Sequence, residues 1–166
     1  MEQLIEVKLM GLIMDPISKT PVMILKPLND KKIIPIWIGG FEANAITMEL
    51  ENISAPRPMT HDLIKNMLHH FDASVDKVVV TDIIENTYYA ELYIKKQNDD
   101  DFTVVDCRPS DAVAIALKNK SKIYISEYVY STSIVSDFFS NFIQGDEKLD
   151  NWFNSLSDDD FGNVEQ

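Results

Sequence analysis

The chain has 166 residues, 45% of them apolar, and a formal net charge of −12 from 27 acidic and 15 basic side chains. That length and composition suffice to bury the core of one compact domain; with no apolar run near about 18 residues and no signal-peptide pattern, the chain is expected to be cytoplasmic and not membrane-bound. Cys107 is the single cysteine, which excludes an internal disulfide and a cysteine-rich zinc site, and the acid excess argues against the broad basic patch of a nonspecific nucleic-acid binder.

In chain order, residues 4–14 carry a strand-like run closed by Asp15-Pro16, and residues 21–28 and 33–38 follow as short apolar runs with Asn29-Asp30 as the turn between them. The three read as an antiparallel meander. Gly39-Gly40 interrupts it, and residues 41–52 read as a helix with Ala43, Ile46 and Leu50 on one face. Two prolines then stiffen residues 54–58. A helix is predicted from Thr60 to about residue 71, with Leu63, Ile64, Met67, Leu68 and Phe71 at amphipathic spacing. Residues 75–84 and 87–96 flank Glu85-Asn86, a two-residue hairpin turn. After the acidic turn at residues 98–101, residues 102–108 form a strand in which Val104, Asp106 and Arg108 share a face. Pro109 ends it, Ser110 caps a helix to about residue 118, and residues 123–125 are a short strand.

The last thirty-odd residues differ in character. Aromatic stripes at Phe138, Phe139 and Phe142 and at Trp152 and Phe153 have helical spacing, and residues 137–166 hold eight acids against one lysine, leaving a net charge of only −5 on residues 1–136. The predicted class is therefore α+β: a mainly antiparallel or mixed sheet packed against several helices over residues 1–133, then a helical, acidic extension over residues 134–166. The aromatic stripes exceed what one small domain covers, which predicts a homodimer or larger homo-oligomer.

Thirteen of the fifteen basic residues are lysine. The two arginines, Arg57 and Arg108, each precede a proline, a hydroxyl residue and an aspartate: Arg57-Pro58-Met59-Thr60-His61-Asp62 and Arg108-Pro109-Ser110-Asp111. A guanidinium grips a carboxylate or phosphate through two parallel hydrogen bonds, which an ammonium cannot do. Thr60 and Ser110 are good N-cap residues, so each arginine is expected to stand before a helix N-terminus that also favours an anion. The two segments are expected to converge on one site.

The runs Ile36-Trp37-Ile38-Gly39 with Glu42-Ala43, residues 56–63, Thr87-Tyr88-Tyr89-Ala90 and residues 106–112 together resemble the bifunctional nuclease domain family. The resemblance covers roughly residues 4–130. It implies a cytoplasmic, usually oligomeric α+β protein credited in some cases with degrading both DNA and RNA. Cys107 stands where alanine is common in that family, Glu85-Asn86 replaces a glycine-containing turn, and the tail does not match the short helical module that some members carry.

Phosphodiester hydrolysis needs an activated water and positive charge around the phosphorus. Arg57 and Arg108, with Thr60 and Ser110 at the helix starts, are the candidate phosphate-binding residues. His61 is the candidate general base, and Asp62, Asp106 and Asp111 complete the catalytic set. Glu42, Asp106 and Asp111 are the candidate ligands of a divalent cation, Mg²⁺ or Mn²⁺. The implied partner is a nucleic-acid substrate. A second reading is a noncatalytic oligomeric binding or regulatory module in which each arginine is clamped structurally to an acid such as Asp106, Asp111 or Glu42.

Overall fold

The computed structural model describes residues 3–15, 17–97 and 101–133. The acidic turn expected at residues 98–101 falls largely outside them, and the extension at residues 134–166 wholly so. The described residues build an α+β domain, one mixed seven-stranded sheet with four helices. Strands β1 (Leu4–Met14), β2 (Pro21–Pro27) and β3 (Ile34–Trp37) form the expected antiparallel meander. Its core strand is β2, where Val22, Met23, Ile24 and Leu25 are all buried. The turn out of β1 is organised by Asp15, which accepts hydrogen bonds from the Ile17 and Ser18 backbone and from Trp37 Nε1 at 2.9 Å. The register of β1 on β2 slips between Leu9 and Gly11, where Gly11 takes φ 152°, a bulge geometry that L-residues resist.

The second meander is β4 (Ala73–Ile84), β5 (Thr87–Lys96) and β6 (Phe102–Cys107), again antiparallel throughout. Its first turn is the predicted two-residue one, with Glu85 at φ 49° and Asn86 at φ 63°. Two successive left-handed residues match the right-handed twist of the strands they join. The short strand β7 (Lys122–Ser126) holds the middle of the sheet: it pairs antiparallel with β1 and parallel with β4, giving the order β3-β2-β1-β7-β4-β5-β6.

Helices α1 (Gly40–Leu50), α2 (Thr60–His70) and α3 (Pro109–Asn119) pack together, α3 touching both of the others as well as β4, β5 and β7. Its buried residues include Ala112, Val113, Ala114, Ile115 and Ala116, and the three alanines let neighbouring backbones approach closely. A fourth helix, α4 (Glu127–Thr132), follows β7 directly; Ser126 caps it by accepting from the Val129 N–H at 3.0 Å. Sequence periodicity gave no sign of α4, which at six residues is too short to show one.

Helix starts differ from expectation, by two positions at α3 and by one at α2. Arg108 rather than Ser110 is the N-cap of α3, and Met59 rather than Thr60 that of α2. At α3 the cause is Pro109: its fixed φ and missing N–H suit the first helical position, so the helix begins two residues earlier and Ser110 is buried, 5% exposed. At α2 the Asp62 carboxylate reaches back to accept from the Met59 N–H at 2.9 Å.

Candidate functional site

The three helices bring together residues distant in sequence. Glu42 comes from the first turn of α1, His61 from the first turn of α2, and Arg108 and Asp111 from the start of α3. Arg108 Nη1 donates to Glu42 Oε1 at 2.7 Å, and Arg108 Nε donates to Asp111 Oδ2 at 2.7 Å. The other Asp111 oxygen, Oδ1, lies 3.0 Å from His61 Nε2. A continuous polar chain thus runs Glu42, Arg108, Asp111, His61.

Its protonation follows from charge. Burial raises the Asp111 pKa, but the hydrogen bonds and charges of Arg108 and His61 outweigh it and hold the carboxyl below its ordinary value. An ionised carboxylate only accepts, so His61 Nε2 carries the hydrogen of this contact, and the neutral tautomer compatible with it has its lone pair on Nδ1. Nδ1 has no hydrogen-bond partner among the described residues. The Arg108 guanidinium is held more firmly cationic by Asp111 and Glu42. Its side chain is 65% exposed, and two of its five N–H donors meet carboxylates, which leaves Nη2 for an anion.

The glycine before α1 is constrained by this cluster. A Cβ at Gly39 would collide with Glu42 Oε2, whereas Gly40 has open space. Gly39 has φ −74°, an ordinary value, so the need for glycine there is room for the Glu42 carboxylate.

A second ionic cluster ties the same helices together farther along. Lys118 Nζ bonds Glu49 Oε1 and, at 2.6 Å, Asp62 Oδ1, while Lys65 Nζ donates to the Lys118 carbonyl at 2.7 Å. The Lys118 ammonium is mostly buried, which would lower its pKa, yet Asp62 and Glu49 raise it overall. Lys118 holds Asp62 in turn below its ordinary range. Asp62 is therefore committed to a helix-joining pair and to the start of α2. Lys118 and Glu49 were not singled out from the sequence, although Lys118 lies two turns beyond Asp111 on one face of α3.

Arg57 and Arg108 open onto adjacent depressions. One, of about 360 Å³, is lined by Arg57 with Lys65 and Lys118. The other, of about 350 Å³, is lined by Arg108, Asp111, Glu42, Thr60 and Phe41. Ala45, Met59 and His61 line both. Arg57 is exposed, and no carboxylate among the described residues pairs with it. The expected convergence of the two segments is thus met around His61.

Asp106 is placed otherwise. It is exposed on the edge strand β6, opposite Glu91 of β5, and Arg108 turns toward Glu42 and Asp111 instead. Among the described residues no group of three or more His, Cys, Asp or Glu side chains is disposed to hold a metal ion, so Glu42, Asp106 and Asp111 do not form a ready-made cation site. Burial, then the charges of Asp111, Asp106 and Glu91, push the Cys107 thiol up to about 12.

The fold and cluster define an α+β domain with an arginine-bound Asp–His pair at a three-helix junction. Residues 23–137 match the bifunctional nuclease domain, and the chain belongs to that family. It is 34% identical over 164 residues to an uncharacterized protein of Mycobacterium tuberculosis, covering 94% of this chain and 97% of the relative. It is also similar to bifunctional nuclease 2 of Arabidopsis thaliana, 31% identical over 98 residues, and to bifunctional nuclease 1 of Oryza sativa subsp. indica, 29% identical over 98 residues. Those two matches take in 58% of this chain and 30% of each plant protein. No helix among the described residues is long and apolar enough to cross a membrane.

Proposed function

We propose that the domain hydrolyses phosphodiester bonds of DNA or RNA at the Arg108, Asp111 and His61 cluster. The observation that carries this is the contact chain from Glu42 to His61, which places a histidine and guanidinium donors beside one depression. Asp111 fixes the tautomer and orientation of His61. His61 Nδ1 takes a proton from water as the water oxygen bonds to phosphorus; the bond to the leaving ester oxygen breaks, that oxygen takes a proton from solvent, and His61 returns its proton to solvent. Arg108 offsets charge on the nonbridging oxygens, and exposed Arg57 binds a neighbouring phosphate. Thr60 and Ser110 line the two depressions that Arg108 borders, and Asp62 acts by positioning α2. The names of the plant relatives support the substrate class.

Metal assistance by Mg²⁺ or Mn²⁺ is the finer part of this reading. The carboxylates as arranged do not fit a three-ligand site, so no step is routed through a cation. Glu42, Asp106 and Asp111 remain the residues to test for it. Cleavage of single-stranded and duplex oligonucleotides by the purified chain, with Mg²⁺, with Mn²⁺ and with chelator, measures both parts. Metal-dependent loss in a folded Asp106→Asn variant would extend the site to β6; unchanged cleavage would confine it to the helix junction.

The second reading, a noncatalytic binding or regulatory module, draws on the mutual satisfaction of Glu42, Arg108 and Asp111 and on the acid excess. It predicts no cleavage under any of these conditions and a lowered melting temperature in Arg108→Lys. We also take residues 1–133 as the catalytic domain and 134–166 as an extension, in a cytoplasmic homo-oligomer. Leu63, Met67 and Phe71 support association, since they form an exposed apolar stripe along α2. A monomer in light scattering at micromolar concentration would contradict it.

A further inference from the structure

Two aromatic rings flank Arg108. Phe41, in the first turn of α1, is 93% exposed and lines the depression that holds His61 and Asp111. A second depression that Arg108 borders, of about 330 Å³, is lined by Trp37, Tyr88 and Gly39 among others. Trp37 is 41% exposed, and the hydrogen bond from its Nε1 to Asp15 Oδ2 fixes the plane of its indole. Arg108 lines both depressions. An aromatic ring left in water, a second one held by a hydrogen bond, and a cation bordering the depressions of both suit base, base and phosphate of one dinucleotide step.

We propose that the site takes an unpaired strand, stacking one base on Phe41 and the next on Trp37 with their joining phosphate at Arg108. The inference rests on the phosphodiester reading above and names its substrate class. Bases within a duplex stack on each other and offer no face to a side chain, whereas bases of a single strand do. Stacking also resolves the charge difficulty. A chain of net charge −12 cannot gain most of its affinity from counterion release, but base stacking needs no basic surface.

The test uses the full chain and fluorescence anisotropy with a labelled, phosphorothioate-linked thymidine hexamer, alone and annealed to its complement, so that binding is read apart from cleavage. The single strand is expected to bind at least tenfold more tightly than the duplex. Phe41→Ala should weaken single-strand binding roughly tenfold or more, Phe41→Tyr should restore it, and neither should change melting temperature because the ring is exposed. In a Trp152→Phe background, Trp37 emission should be quenched by the hexamer. Affinity should fall with salt at a log–log slope of only about −0.7 to −1.4, the value for one or two neutralised phosphates on a single strand. Equal or tighter duplex binding, or Phe41→Ala binding like the parent, would overturn the proposal. Cleavage that depends on His61 while strandedness makes no difference would remove the stacking inference and leave the hydrolytic reading; single-strand binding without cleavage would do the reverse.

Discussion

Asp111 bonds His61 with one carboxylate oxygen, at 3.0 Å, and Arg108 with the other, at 2.7 Å. One side chain at the start of α3 therefore positions both the proposed base and the proposed phosphate anchor. Moving Asp111 misplaces two groups together.

Arg108→Lys should leave stability nearly unchanged, since an exposed ion pair contributes roughly 0.2–1 kcal/mol. Lysine keeps the charge and loses the fork that spans Glu42, Asp111 and a phosphate. Cleavage should fall by about two orders of magnitude, as for loss of one charge-stabilising donor. Parallel melting and cleavage measurements on this variant separate the catalytic role from a structural one.

Gly39→Ala should act on activity without unfolding the chain. The backbone there accepts alanine, but the new methyl displaces the flexible end of Glu42. Arg108 then loses one of its two clamps, and cleavage should drop while the circular dichroism spectrum stays that of the parent.

Lys118→Met should do the opposite. Its ammonium joins Asp62 and Glu49 across three helices, and removing a partner from charged hydrogen bonds of this kind costs roughly 1–3 kcal/mol. Urea denaturation should show that loss, with a reduced maximal cleavage rate only to the extent that α2 shifts His61.

Acid should destabilise the helix junction. Asp111 and Asp62 both have folded pKa values below the ordinary 3.8. Their stabilisation is complete above that value and is lost as pH falls through their lower folded values. Thermal melts should be flat with respect to these two groups between pH 5 and pH 7, by roughly the same linkage argument, and decline below about pH 4. In an Asp62→Asn, Asp111→Asn double variant the decline should be smaller.

The two antiparallel halves of the sheet were legible because each strand has period-2 or all-apolar patterning and is set off from the next by a turn signal. The central place of β7 was not. Its parallel pairing with β4 spans β5, β6 and α3, and no local pattern encodes a partner so far away. The same limit governs the site. Arg57, His61, Arg108 and Asp111 stood out by composition and motif, and the structure gathers them around His61. Strand alternation paired Asp106 with Arg108, but Pro109 ends the strand at Cys107, and Arg108, at the N-cap, faces Glu42 and Asp111. Lys118 looked like an ordinary basic residue in the last turn of a helix; its burial is set by packing of α1 and α2 against α3.

The central claim is that His61, oriented by Asp111, activates water for phosphodiester cleavage. Its most direct test is cleavage of a single-stranded oligonucleotide by the parent chain and by His61→Asn, each verified as folded, across Mg²⁺, Mn²⁺ and chelator. The parent should cleave and the variant should be slower by about 100-fold or more, in keeping with the contribution of a general base. A folded His61→Asn protein that cleaves at the parent rate would contradict the account.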